Sequence, residues 1–462
     1  MASKASATAP LSVLILAAGQ GKRMNSDLPK VLQPLAGRAL LWHVLDTSAT
    51  LGAAAVHVVY GHGGEAVRAA CSGAKVSWIH QAEQLGTGHA VQQAAAQLPD
   101  AHRVLILYGD VPLISAATLN ELQVAAGAQG IGLLTANFTP PSGYGRIVRG
   151  SRGQVLRIVE EREATARERK ISECNTGIMV LPVKALKRWL KQLKNANAQR
   201  EYYLTDIIAL AVKDRVRITP LLASSTTEVL GVNDRLQLAA LESAYRQQRA
   251  HELMRAGVTL TDPARIDIRG AVSCGRDVLI EPNVMLEGPI HLGDRVRIGS
   301  HCILRAVEVG EDTHIKSHSI LEQAQIGKRC QIGPYARLRP GAQLHEDVHI
   351  GNFVEIKQSE LGAGSKANHL TYIGDASVGA GVNVGAGTIT CNYDGVNKWR
   401  TEIGDDASIG AGTMLVAPVR IGKGATIGAG STITSDAPEA QLTLERSRQV
   451  SIAHWQRPTK KK

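Results

Sequence analysis

Ile403-Gly-Asp-Asp-Ala-Ser-Ile409-Gly-Ala-Gly-Thr-Met-Leu415, continued by Ile421, Ile427 and Ile433, places an aliphatic residue at every sixth position. The same period runs through Ile326, Ile332, Leu338, Leu344, Ile350 and Ile356, and earlier through Ile266, Val272, Val278, Val284 and Ile290. A strand alternates by two and a helix by 3.6, so neither makes this period. A parallel β-helix does: each flat face sends one aliphatic side chain inward, and glycine serves the corners. Three hexapeptides make one coil. Residues 257–437 then form about ten coils, or ~48 Å at the strand spacing. The register breaks between Thr390 and Ile403. The extra length falls in Cys391-Asn392-Tyr393-Asp394-Gly395, whose Asp-Gly marks a turn and whose Asn392 and Tyr393 are expected to be exposed at a site.

Upstream of residue 230 the pattern changes. Ser12–Ala18, Val56–Tyr60, Val76–Ile79, Val104–Tyr108, Gly132–Asn137 and Ile178–Leu181 read as buried strands. Leu40–Leu51, Glu65–Cys71, His89–Gln97 and Ala116–Ala126 read as helices between them. This alternation predicts a mostly parallel, Rossmann-like α/β sheet, with ligands beyond the carboxyl ends of its strands. Asn233-Asp234 can cap a helix over 236–256 that Gly257 ends, about 31 Å long. The expected organisation is an N-terminal extension (1–10), an α/β domain (11–235), a linker helix (236–256), a β-helix (257–437) and a basic tail (438–462).

Composition narrows the class. The 462 residues are 44% hydrophobic and 20% charged, as in a folded globular chain. Aromatics are 3%, with two Phe against 46 Gly, so the core must be aliphatic. No stretch reaches the ~18 apolar residues of a membrane helix. Leu11–Ala18 runs into Gly19-Gln20-Gly21-Lys22-Arg23 rather than a cleavage site, which predicts a cytoplasmic protein without stable membrane insertion. Six cysteines with no C-x-x-C indicate neither a zinc site nor a disulfide framework. The net charge is +11, and residues 441–462 carry six Lys/Arg against Glu445 alone. Without aromatic interleaving or a nucleic-acid motif, nucleic acid is not expected as a partner.

The loop after the first strand lacks the third glycine of a dinucleotide fingerprint and is no Walker A sequence. It is still a glycine loop carrying Arg23, with Pro29-Lys30 following, and suits phosphate. The full string Leu16-Ala-Ala-Gly-Gln-Gly-Lys-Arg-Met24 with Pro29-Lys30 resembles the signature of sugar-1-phosphate nucleotidyltransferases. Gln81-Ala-Glu-Gln-Leu-Gly-Thr87, Tyr108-Gly-Asp-Val-Pro112, Gly143-Tyr-Gly-Arg146, Ile158-Val-Glu160, Glu173-Cys-Asn-Thr-Gly177 and Gly231-Val-Asn233 follow in the family's order. Joined to the hexapeptide region, the chain from Leu11 onward resembles the bacterial bifunctional UDP-N-acetylglucosamine pyrophosphorylase/glucosamine-1-phosphate N-acetyltransferase family.

That resemblance implies acetylation of glucosamine 1-phosphate by acetyl-CoA, then uridylylation by UTP, feeding peptidoglycan and lipopolysaccharide synthesis. It implies Mg²⁺ on Asp110 and Asn233, and Arg23 and Lys30 as the catalytic cations. It places the nucleotide sugar on Leu16, Ala17, Ala18, Gly19, Lys30, Gln81, Gly86, Thr87, Tyr108, Gly109, Asp110, Gly145, Glu160, Asn175 and Asn233. In the β-helix it makes His369 the base, with Glu355 a candidate to orient it or the amine. Arg339, Lys357, Tyr372 and Asn383 hold glucosamine 1-phosphate, and Ala386, Asn392, Tyr393, Ala411, Ala429 and Arg446 hold acetyl-CoA. Ala411 departs from the family, which carries Ser there, so a hydroxyl contact to the coenzyme is missing or replaced. A homotrimer with acyl sites shared between neighbours is implied. The alternative is a sugar-1-phosphate nucleotidyltransferase whose β-helix is not catalytic.

Overall fold

A computed structural model describes residues 9–61 and 63–460, leaving the side chain of Lys22 undescribed. Most of the expected extension 1–10 and the last two residues of the tail therefore lie outside it. The chain forms two compact units that divide between Tyr245 and Arg246.

The first unit is built on a nine-stranded sheet. Leu11–Ala17 lies at its centre, parallel to Ala55–Tyr60 on one side and Arg103–Tyr108 on the other. Every residue of Leu11–Ala17 is buried, because helices cover both faces of a parallel sheet. Glu173–Pro182 runs antiparallel between Arg103–Tyr108 and Ile131–Asn137. The structure adds the hairpin Arg146–Arg149/Val155–Val159 and the helices Val183–Leu190 and Asp206–Lys213, whose buried residues (Val183, Leu186, Trp189 and Leu190; Ile207, Ile208 and Ala211) do follow a helical period. The hairpin strands are short, and Leu156 and Arg157 point outward, which interrupts the buried pattern.

Arg235–Arg255 is one helix. Asp234 Oδ1 accepts from the Gln237 amide at 2.8 Å, and Gly257 follows it at φ 98°.

The second unit is a parallel β-helix with three flat sheets of eleven, ten and nine strands. Each strand pairs in parallel with its equivalent one coil on, as in His314↔Gln331 and Gln331↔His349. The hexad residues Ile332, Leu338 and Ile356 are fully buried, and second inward positions such as Ile268, Leu286 and Ile298 fill the bore with them. Gly333, after Ile332, takes the expected corner conformation at φ 89°, but other glycines following hexad residues serve a different purpose. Many corners with positive φ carry Asp277, Asn283, Arg295, Asp312 or Arg329. Gly310 and Gly327 are needed instead for close stacking: a Cβ on Gly310 would come 2.6 Å from the Gly327 carbonyl carbon.

Replacing Ile356 by Ala should destabilise the β-helix by about 2–5 kcal/mol, since the surrounding coils cannot collapse into the gap. Urea unfolding followed by circular dichroism checks this; a loss well under 1 kcal/mol would contradict the packed bore.

Candidate active sites

The carboxyl ends of Leu11–Ala17, Ser77–His80 and Arg103–Tyr108 open onto a cleft of about 600 Å³. Leu16, Ala17, Ala18, Gly19, Lys30, Gln81, Gly86, Thr87, Tyr108 and Asp110 line it, joined by Gln20, Gln84 and Glu201, which the motifs did not single out. Gln81 is buried and its amide donates to the Gly86 carbonyl at 3.3 Å, which ties the two loops together. Gly109 is packed so tightly that a Cβ would sit 3.1 Å from that of Ala17.

Lys30 Nζ lies 2.5 Å from Asp110 Oδ2 and 3.3 Å from Asn233 Oδ1. One cation thus joins three residues spread across the sequence. Arg23 is exposed and does not line the cleft.

Gly145, Glu160 and Asn175 gather next to Tyr108. The Asn175 amide donates to the Gly145 carbonyl at 2.8 Å, and a Cβ on Gly145 would lie 3.5 Å from both Glu160 oxygens. Gly177 lies against the Tyr108 ring: a Cβ there would come 2.4 Å from it. Burial, then the Glu160 and Asp110 carboxylates, push the Tyr108 phenol well up. Burial also raises Glu160; the Thr205 hydroxyl, donating at 2.8 Å, opposes this, while Asp206 and Glu201 add to it. Thr205 was not legible from the motifs, because the helix it precedes was not.

In the β-helix, parallel pairing sets Asn352 opposite His369 and Glu355 opposite Tyr372. His369 Nδ1 lies 3.0 Å from Asn352 Oδ1. Glu355, expected to orient the base or the amine, accepts from Arg339 at 2.8 Å, with Arg337 3.9 Å away, while the imidazole's partner is Asn352. Lys357 lies 3.3 Å from Asp375, and the Asn392 amide donates to the same Asp375 oxygen. Asn392 is buried, against expectation, while Tyr393 is exposed. Lys398, on the far side of the Asp394-Gly395 turn, reaches the same place; the ammonium of Lys357 beside it pushes it down. The Tyr372 phenol lies over Gly374, and Asn383 is exposed.

Asn352, His369, Ala386, Ala411 and Ala429 occupy one corner on successive coils. Main-chain bonds link them: Leu370 N to Asn352 O, Gly387 N to His369 O, Gly412 N to Ala386 O and Gly430 N to Ala411 O. The residue after each takes positive φ, and here the side chains change along the helix. His301, His318, Tyr335 and Phe353 stack at 4.8, 4.8 and 5.4 Å, and Leu370 follows them. From Gly387 on, through Gly412 and Gly430, the same position is bare. Arg446 stands at the far end: a Cβ on Gly428 would come 3.7 Å from its Nη2.

A nucleotidyltransferase fold joined to a hexapeptide-repeat transferase is what these two units define. Residues 13–257 match the MobA-like NTP transferase domain, residues 265–361 the GMPPB C-terminal domain, and residues 400–435 the bacterial transferase hexapeptide (six repeats). The "Bifunctional protein GlmU" of Azoarcus sp. (strain BH72) is 56% identical over 452 residues, 98% of this chain and 100% of that one. The protein of the same name from Aromatoleum aromaticum is also 56% identical, over 98% of this chain and 99% of its own. Among solved structures, a putative glucose-1-phosphate thymidylyltransferase from Bacillus anthracis is 20% identical over 51% of this chain and 95% of that one, with TM-score 0.42. The chain belongs to the bifunctional GlmU family. It is a uridylyltransferase acting on N-acetylglucosamine 1-phosphate, joined to a glucosamine-1-phosphate N-acetyltransferase, rather than a nucleotidyltransferase with an idle β-helix.

A raised carboxyl pKa in the folded state means stability is lost as pH rises through it. Replacing Glu160 by Gln should therefore raise the thermal midpoint at pH 7 and leave it unchanged near pH 4. A midpoint that falls at pH 7 would contradict the cost assigned to the buried carboxylate.

Proposed function

We propose that uridylyl transfer runs in the cleft around Lys30 and Asp110, and acetyl transfer at the corner column that begins at His369. The observation that carries the second assignment is the change at that corner from stacked rings to bare glycine. A strip of Ala386, Ala411, Ala429, Gly387, Gly412 and Gly430 rises from the imidazole over three coils, ~14 Å at the strand spacing. It offers backbone and nothing larger than a methyl group, which suits the extended pantetheine arm of acetyl-CoA. Arg446 stands at its end to meet the coenzyme's phosphates. With Ala411 in the column, coenzyme binding draws on the backbone and Arg446 rather than on a hydroxyl. Asn392, hydrogen-bonded to Asp375 beside Lys357, and the exposed Tyr393 next to it add coenzyme contacts at the neighbouring corner.

In the acetyl site, Arg339, Lys357 and Lys398 hold the phosphate of glucosamine 1-phosphate, and Tyr372 and Asn383 the sugar. The ammonium first gives a proton to water. As the amine nitrogen bonds to the thioester carbonyl carbon, His369 takes the nitrogen's next proton. The carbon–sulfur bond breaks, and the imidazolium returns that proton to the departing thiolate.

In the nucleotide site, Leu16 to Gly19, Gln81, Gly86 and Thr87 hold the uridine, with Tyr108 and Gly109 against it. Gly145, Glu160 and Asn175 hold the N-acetylated sugar. The Asp110 and Asn233 oxygens converge on one positive charge, the Lys30 ammonium, so this hard-oxygen pair fits a divalent cation completed by phosphate and water. Asp110 and Asn233 would hold Mg²⁺, which supplies positive charge against the triphosphate. A phosphate oxygen of the sugar attacks the α-phosphorus of UTP, and the bond to pyrophosphate breaks. Lys30 stabilises the charge that develops, and Arg23, exposed outside the cleft wall, joins it only when the glycine loop folds over the bound triphosphate.

The protein acts as a cytoplasmic homotrimer with no nucleic-acid or stable membrane partner. The exposed Tyr335, Phe353 and Leu370, and Val450, Ile452 and Trp455 of the tail, are apolar surface that neighbouring copies would cover. The cysteines are free, and no described helix is long and apolar enough to cross a membrane.

Asp110→Ala should abolish release of pyrophosphate from UTP and spare acetyl transfer, while His369→Ala does the reverse; wild-type uridylyl transfer in Asp110→Ala would reject the first site. Gly387→Phe should extend the ring ladder across the strip. It is expected to raise KM for acetyl-CoA by about tenfold or more, a transition-state cost near 1.4 kcal/mol. An unchanged KM would remove the coenzyme from that corner. Sedimentation of a fully active monomer would contradict the trimer.

A further inference from the structure

We propose that Asn352 is a positioning residue for acetyl transfer. Its side-chain oxygen holds the His369 imidazole as the Nδ1–H tautomer and leaves Nε2 as the nitrogen that takes the proton. The inference rests on His369 being the base.

The contact is built into the fold at two levels. Asn352 and His369 are parallel-pair partners on adjacent coils, so their side chains leave the sheet at the same corner, one strand spacing apart. Gly351, just before, lets the coils close up: a Cβ there would come 1.9 Å from the Asn368 carbonyl oxygen. Any side chain at 351 would push the two strands apart and lengthen the 3.0 Å contact.

The chemistry of the pair follows from its atoms. An amide oxygen only accepts, so the nitrogen facing it must carry the hydrogen. In a neutral imidazole the other nitrogen is then the free lone pair, and the hydrogen bond made by one nitrogen decides the state of the other. Without an acceptor at 352 the ring can rotate or take the Nε2–H form, and a base in the wrong tautomer loses orders of magnitude in rate. Among the described residues no carboxylate bonds to this ring, since the nearby Glu355 is engaged by Arg339. Asn352 is therefore placed to do the orienting.

The test compares Asn352→Leu, which keeps the bulk and removes the acceptor, with Asn352→Asp, which keeps an acceptor toward Nδ1. Acetyl transfer is assayed with glucosamine 1-phosphate and acetyl-CoA, and pyrophosphate release from UTP in the same preparations reports on the first unit. The expected result is a fall in kcat of about tenfold or more for Asn352→Leu. Both KM values should stay within about threefold, uridylyl transfer should be unchanged, and Asn352→Asp should recover most of the lost kcat. Nitrogen-15 shifts of labelled histidine, assigned by their loss in His369→Gln, should show Nδ1 protonated in the wild type and in Asn352→Asp but not held so in Asn352→Leu. A wild-type kcat in Asn352→Leu, or an Asn352→Asp as slow as Asn352→Leu, would overturn the proposal. A His369→Ala protein that acetylates at the wild-type rate would instead overturn the reading of the base itself.

Discussion

The hydrogen-bond ladder between successive coils is the constraint on which the second unit depends. Each strand can pair only with its equivalent above and below, so a residue's place along the chain becomes a height on one of three faces. A side chain every sixth position fills the bore, and glycines such as Gly310 and Gly327 let the coils approach. The corner with His369 is a product of the same register. Below it the positive-φ position carries rings stacked on rings; above it the position carries glycine. The imidazole proposed as the base stands at that junction, with a wall on one side and an open strip on the other. No separate pocket is needed, because the regular stack supplies the spacing and the side chains need only be present or absent.

The first unit solves a different problem. Its ligands carry phosphate, and its sheet delivers them to loops at the ends of buried strands. Charge is handled there by placing groups that would be costly elsewhere. The Lys30 ammonium sits between an anionic and a neutral oxygen, and Glu160 is kept beside Tyr108 although burial opposes its ionised form. The Thr205 hydroxyl partly offsets that cost. Strain of this kind is expected where binding sets the requirement and the surrounding fold supplies the stability.

Much of this was legible from residues because the two periods are strong. Six-residue spacing has one architectural meaning, and strings such as Leu16-Ala-Ala-Gly-Gln-Gly-Lys-Arg-Met24 and Tyr108-Gly-Asp-Val-Pro112 carry enough residues to be specific. Asn352 was not legible, since its link to His369 appears only when the coil length is known and residues one turn apart are aligned. From the sequence Glu355 is a candidate to orient the base or the amine, and register places it opposite Tyr372. Asn392 was expected at the surface because it opens an inserted loop, yet its amide turns inward to Asp375 while Tyr393 turns out. The hairpin Arg146–Arg149/Val155–Val159 and the helix Asp206–Lys213 are short elements of four to eight residues, so their apolar residues stand out less than the runs of the central strands.

The most direct measurement is a crystal structure of the protein soaked with coenzyme A. The account requires the sulfur to lie within about 4 Å of His369 Nε2, the pantetheine to follow Gly387, Gly412 and Gly430, and Arg446 to meet the phosphates, distances ordinary for a poised base and a charge-assisted contact. Density for the coenzyme along the stacked rings of His318, Tyr335 and Phe353, or away from the His369 corner altogether, would contradict it.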